Sequence, residues 1–260
     1  MWVKVAAGSA VLALSLGAIF YVSRLETFAI TTVRVEGANI VSAESVQELA
    51  NQELAGTYGI LIPHSNALFA PKNEIEKSIL TSFPEVASVS ISDFGFQTLV
   101  VTVKERETAA LWCLSAGASA QAGEGTNTEM LPCYAMDEDG FIFMKTAPND
   151  AYVRYFGSAV ETPIGTTFLA GDFKGLHSFV GETVRTINRA ADSVTVEANN
   201  DVNLAFVGGG VLRFTRTEDT QVTLENVASV FASQSFKTKR DFEYADFRYG
   251  SKVYVKFKGE

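Results

Sequence analysis

Histidine and cysteine are nearly missing from this chain of 260 residues, which has two of each, and that scarcity closes most routes to catalysis. His64 and His177 lie too far apart to draw an HExxH helix or a three-ligand zinc set from spacing. No Gly-x-Ser-x-Gly elbow is present, and no Cys-x-x-Cys redox pair. Positive charge is also short. With 21 Lys and Arg against 30 Asp and Glu, the net charge of -9 has the wrong sign for a phosphate backbone, so nucleic acid is set aside. Gly208-Gly209-Gly210 precedes no helix opening on Lys-Ser or Lys-Thr, so it reads as a hairpin turn rather than a phosphate loop. Asp137-Glu138-Asp139-Gly140 lacks the later ligands and closing Glu of a calcium loop and reads as a turn. Paired carboxylates could meet from anywhere in the fold, but 30 acidic residues interspersed along surfaces are explained by solubility. The expectation is therefore no enzyme, no catalytic or metal site, no cofactor and no small-molecule substrate.

What the chain does have begins with nineteen uncharged residues, Val5 to Ser23. As a helix this run would be roughly 28 Å long at about 1.5 Å per residue, close to the hydrocarbon core of a bilayer. The exit, Phe20-Tyr21-Val22-Ser23-Arg24, offers no small-x-small cleavage site, so a retained signal anchor is expected over 5–23 rather than a cleaved signal peptide. A short cytoplasmic tail, 1–4, would precede it, and the body of the chain would be exported. Cys113 and Cys133 flank nineteen residues rich in Ala, Gly, Ser and Thr. In an oxidising compartment a disulfide there would staple the neck of a long loop; two buried free thiols are the other reading.

From Phe28 to Arg106 the pattern reads strand, helix, helix, strand, strand. Thr32 to Glu36 alternates and ends at Gly37. Ser42 is placed to cap a helix burying Val46, Leu49, Ala50 and Leu54. After a loop with Gly59, Pro63 and Asn66, Asn73 and Glu76 resemble a capping box for a second helix burying Ile75, Ile79, Leu80 and Phe83. Strands follow at Val86 to Ser92 and Thr98 to Glu105, with Asp93-Phe94-Gly95 as the turn. Two helices on one face of a three-stranded sheet is the economical packing.

These residues carry a resemblance. Phe28-x-Ile30-x-x-Val33-x-Val35-x-Gly37, Phe83-Pro84-x-Val86-x-x-Val89, Thr98-Leu99-x-Val101-x-Val103-x-Glu105-Arg106 and Ala110-x-Trp112 together are similar to the POTRA domain of the FtsQ/DivIB cell-division family. Thr108 stands where a proline often follows Glu-Arg in that family. The resemblance implies an α+β chain made of the single transmembrane helix, a POTRA domain at 28–108, and an FtsQ-like β-domain at 109–260.

In that second part, short strands are expected at Ala109 to Leu114, Cys133 to Met136 and Phe141 to Met144. A helix is expected at Phe173 to Ala190, strands at Val194 to Glu197, Val202 to Phe206 and Val211 to Phe214, and a helix at Thr220 to Ser233. The closing stretch, Tyr244 to Phe257, is similar to the family's aromatic-x-Asp-x-Arg-aromatic segment and final strand. Val253, Val255 and Phe257 alternate with Tyr254, Lys256 and Lys258, so one face can dock on a core. A last strand often lies at a sheet edge, where a partner's extended segment can complete the backbone pairing. Candidate partner-binding residues are Phe247, Arg248, Tyr249, Gly250, Ser251, Val253, Val255 and Phe257. Asp246 and Arg248 fit either recognition or mutual pairing. The resemblance implies a non-enzymatic scaffold at the septum that contacts division proteins of the FtsB/DivIC and FtsL type and helps control septal peptidoglycan synthesis. A POTRA-bearing envelope-assembly or secretion component is the alternative.

Overall fold

The computed structural model describes residues 8, 11, 14, 15, 17, 18, 20–59, 62–114, 132–158, 160–217, 219–238, 241–250 and 252–259. The chain divides into two compact units, Met1–Arg106 and Glu107–Glu260.

The expected membrane span is the main correction. Positions 8, 11, 14, 15, 17, 18 and 20–23 are helical, but among the described residues no helix is long and apolar enough to cross a membrane. About 20 consecutive apolar residues are needed for that. The described end of this stretch instead turns polar. Ser23 Oγ donates back to the Phe20 carbonyl, the Ser23 carbonyl accepts from Asn66 Nδ2 at 3.0 Å, and Arg24 lies over the Phe20 ring. Among the described residues the architecture is therefore mixed α/β with one large sheet and has no membrane-spanning helix. The tail 1–4 and the other positions of 5–23 lie outside the described residues.

In the first unit, β1 (Thr32–Glu36) leads through a loop to α1 (Ala43–Leu54), a two-stranded hairpin of β2 (Thr57–Tyr58) and β3 (Ile62–Pro63), α2 (Lys72–Ser82), β4 (Val86–Phe94) and β5 (Thr98–Glu105). The sheet order is β1-β5-β4, with β1 parallel and β4 antiparallel to β5. Val46, Ala50, Ile75, Ile79, Leu99 and Val101 are fully buried in its core. Ser42 caps α1 by accepting from Ser45 N. The capping box expected for α2 is not formed: the helix opens behind Pro71, with no side-chain cap and Asn73 already inside it.

The chain needs glycine at Gly37, where φ is +83° and a Cβ would sit 2.2 Å from the Val103 carbonyl oxygen. Just beyond, the Glu105 carboxylate accepts from three successive backbone amides, Asn39, Ile40 and Val41, at 2.9, 2.7 and 2.9 Å. Desolvation alone would raise its pKa; these amide bonds outweigh that and hold it below the usual carboxylate value. The last strand of the unit thus fastens the loop that starts α1.

The second unit holds a nine-stranded sheet. Its elements in chain order are β6 (Ala110–Cys113), β7 (Cys133–Met136), β8 (Ile142–Thr146), β9 (Arg154–Phe156), α3 (Phe173–Ile187), β10 (Ala191–Val196), β11 (Asp201–Phe206), β12 (Val211–Thr215), α4 (Thr220–Phe231), α5 (Gln234–Thr238), β13 (Phe242–Tyr249) and β14 (Lys252–Phe257). The spatial order is β14-β13-β12-β11-β10-β9-β6-β7-β8. The pairs β6–β9, β9–β10 and β12–β13 are parallel, and the remaining neighbours are antiparallel. Apolar residues of α3 and α4 pack with the sheet in one core that includes Phe173, Leu176, Phe179, Val180 and Val227. Asn188, in the left-handed region at φ 52°, ends α3 short of the expected Ala190. The Asp137 carboxylate accepts from the amides of Asp139 and Phe141, so the acidic stretch before Gly140 is a turn held by its own backbone.

Candidate interaction site

The closing stretch folds into a hairpin of β13 and β14, and β14 pairs with β13 alone among the described residues, at the end of the sheet. The hairpin turns at Gly250, φ +62°; Ser251 lies outside the described residues. Its seat on the domain is aromatic. Phe257 packs on Phe236 at 5.1 Å between ring centroids, and Phe236 packs on Phe231 and Phe242, so α4 and α5 back the edge strand.

The alternation of β14 is visible in its exposure. Lys252, Tyr254 and Lys256 are exposed, Val253 and Val255 half-buried, and Phe257 buried. Tyr254 meets Tyr249 edge-on at 5.2 Å, and both rings are more than half exposed. Lys256 Nζ pairs with Glu243 on β13 at 2.6 Å.

The eight expected contact residues therefore differ in what they present. Phe247 is 1% exposed and belongs to the core, so it shapes the edge from behind. Arg248 is engaged within the domain: its guanidinium donates through Nε and Nη2 to both oxygens of Asp246, at 2.9 and 2.6 Å, and through Nη1 to Asp201 at 2.5 Å. Burial alone would raise the Asp246 pKa; the bonds from Arg248 outweigh it and lower the value. The Arg248 pKa is raised by the same bonds, Asp246 first and Asp201 second. This network joins β13 to β11 across β12. Asp201, 47 positions away along the chain, carries no local signal for that role, and neither does Tyr254 beyond its place on the outer face of an alternating strand. Among the described residues, Tyr249 is the one expected side chain that is largely exposed at the hairpin end.

Cys113 and Cys133 sit opposite each other on β6 and β7 and are joined by a disulfide. Both are 2% exposed, and the order of the sheet places them well away from β14. The segment between them is described at its two ends alone, at 114 and 132. His64 and His177 are not brought together. His64 Nδ1 meets the Glu53 carbonyl oxygen in the first unit, while His177 Nδ1 meets the Tyr155 hydroxyl at 2.9 Å in the second. Among the described residues no group of three His, Cys, Asp or Glu is placed to hold a metal ion. The arrangement offers an extended backbone edge with tyrosine and lysine side chains, suited to a protein strand.

No curated protein matches the chain. Residues 28–106 match the family model of the POTRA domain, FtsQ-type, so the first unit holds an FtsQ-type POTRA domain.

Proposed function

We propose that this protein is a non-enzymatic scaffold of the division machinery, acting at the membrane of the division site, and that its second unit takes up an extended segment of a partner along β14. The FtsQ-type domain at 28–106 supports the division role. One observation carries the docking mode: β14 ends the nine-stranded sheet and pairs on one side alone among the described residues. Such an edge can be completed by a strand from another chain, main-chain bonds giving affinity and alternate side chains giving choice. Tyr249 and Tyr254 supply exposed aromatic surface beside the edge, the residue type that dominates binding energy at interfaces. Lys252 and Lys256 discourage indiscriminate pairing. Partners of the FtsB/DivIC and FtsL type would provide the strand, and septal peptidoglycan synthesis would be regulated through that contact. The disulfide supports an oxidising compartment outside the cytoplasm.

The test replaces Val255 with proline, which removes a backbone donor and disturbs the extended geometry of β14. Binding of the co-purifying division partner should fall by at least about tenfold, while the first unit keeps its melting temperature. Full binding by that variant would end the edge-strand model. A fluorescent fusion should collect at the septum; uniform envelope labelling would favour an assembly or secretion component instead.

A further inference from the structure

A cavity of about 310 Å³ opens in the second unit, away from β14. Trp112, Ile142, Phe168 and Val196 form its apolar walls, each no more than 9% exposed. Of the buried side-chain polar atoms among the described residues, Trp112 Nε1, Thr183 Oγ1 and Arg216 Nε make no hydrogen bond, and the first and last of these belong to residues lining this cavity. Each is a donor with no capacity to accept, and a buried donor left unmatched is costly. Both therefore call for an acceptor.

The donors are held in place. Arg216 Nη1 donates to Asp172 at 3.0 Å and Nη2 to Asn200 Oδ1 at 2.6 Å, which leaves Nε as the unmatched edge. Two lining residues, Leu169 and Asn200, take the left-handed region at φ 50° and 71°, and strain of this kind gathers at ligand sites. A Cβ at Gly157 would lie 2.7 Å from Phe168 Cε2, so a larger residue there would displace a wall of the cavity. Two carboxylates lie near: Asp172, 70% exposed and paired to Arg216, and Glu197 at the mouth, bonded to Asn203. Both are exposed and screened by water, so each offsets the arginine charge only in part.

We infer that this cavity is a binding site for a small apolar monocarboxylate, whose chain fills the space between Trp112, Phe168 and Val196 and whose carboxylate meets the Trp112 indole N–H and the Arg216 Nε–H. The volume lies at the small end of ligand pockets. Two donors, one of them on a charged guanidinium, suit two carboxylate oxygens better than one neutral carbonyl.

The chain has two tryptophans, Trp2 and Trp112, so in a Trp2→Phe background the emission of Trp112 reports on the cavity alone. Octanoate should shift that emission saturably in the full chain. Methyl octanoate should bind at least about tenfold more weakly, and octylamine should not bind at about 5 mM. Arg216→Leu should weaken octanoate by at least about tenfold while leaving methyl octanoate unchanged, a difference that a merely structural arginine would not produce. Ala198→Phe, at an exposed position of the mouth, should abolish binding of both without lowering the melting temperature. The inference is overturned if octanoate leaves the emission unchanged, if the ester or the amine binds as well as the acid, or if both variants bind octanoate like the parent.

Discussion

Single positions carry more of this protein than their local sequence announces. Gly37 belongs to a recognisable motif, but the reason for glycine lies 66 positions downstream, in the Val103 carbonyl oxygen that a Cβ would strike. Gly37→Ala should destabilise the first unit by more than about 1 kcal/mol, seen in thermal unfolding, because strain at positive φ adds to the clash. Glu105 stands in the same motif, and its three amide partners were invisible until the strand and loop met. Glu105→Ala should cost about 1 kcal/mol, below the usual range for charged hydrogen bonds because the carboxylate is solvent-reached. Its folded pKa is lowered, so that stabilisation is present at neutral pH and disappears as pH falls through the folded value. His177 has the same sign, at higher pH and for a different reason. It is a base whose pKa burial lowers from 6.5, so the unfolded chain takes up a proton first as pH falls below about 6.5, and stability drops with it. Denaturant titrations between about pH 7 and pH 5 should show a shallower loss for His177→Gln than for the parent.

Helices and strands with strong periodicity were read closely from the chain. The edges of α1, β5, β11 and β12 follow their apolar spacing because burial on one face selects for it. β9, three residues long, was not read at all: it has too few positions to show any period and exists because β6 and β10 flank it. The closing stretch was legible as extended, and its alternation placed Phe257 inward and Tyr254 outward. Its lone arginine was less so. Arg248 was a candidate for recognition, yet tertiary structure surrounds it with Asp246 and Asp201. Asp246→Ala should therefore destabilise the β13–β14 hairpin by about 3 kcal/mol in chemical denaturation, the scale of breaking one partner out of a buried ion pair. Asp246 is 4% exposed, whereas Arg248 keeps partial contact with water, which holds the loss to the lower end of that range.

The two units have separate cores and are divided at Arg106, so each should respond to its own perturbation. Both cysteines lie in the second. Closing a loop of this length is worth about 3 kcal/mol in the chain-entropy account. Reductant, or the paired Cys113→Ala and Cys133→Ala change, should thus lower the unfolding free energy of the second unit by about that amount while a probe in the first unit stays still. An equal fall in both would contradict independent units.

Composition, the strand–helix–helix–strand–strand rhythm and the POTRA resemblance were all available from the chain, because each rests on residue type or on contacts a few positions apart. The membrane span inferred from residues 5–23 was not upheld: a count of uncharged residues measures hydropathy, whereas the described residues contain no helix long and apolar enough for the task. Folding alone placed β14 at the end of nine strands, enclosed Arg248 between two aspartates and left Trp112 and Arg216 facing one cavity. Those outcomes depend on pairing between segments tens of residues apart, and such pairing is chosen by the packing of the whole core rather than by any local pattern.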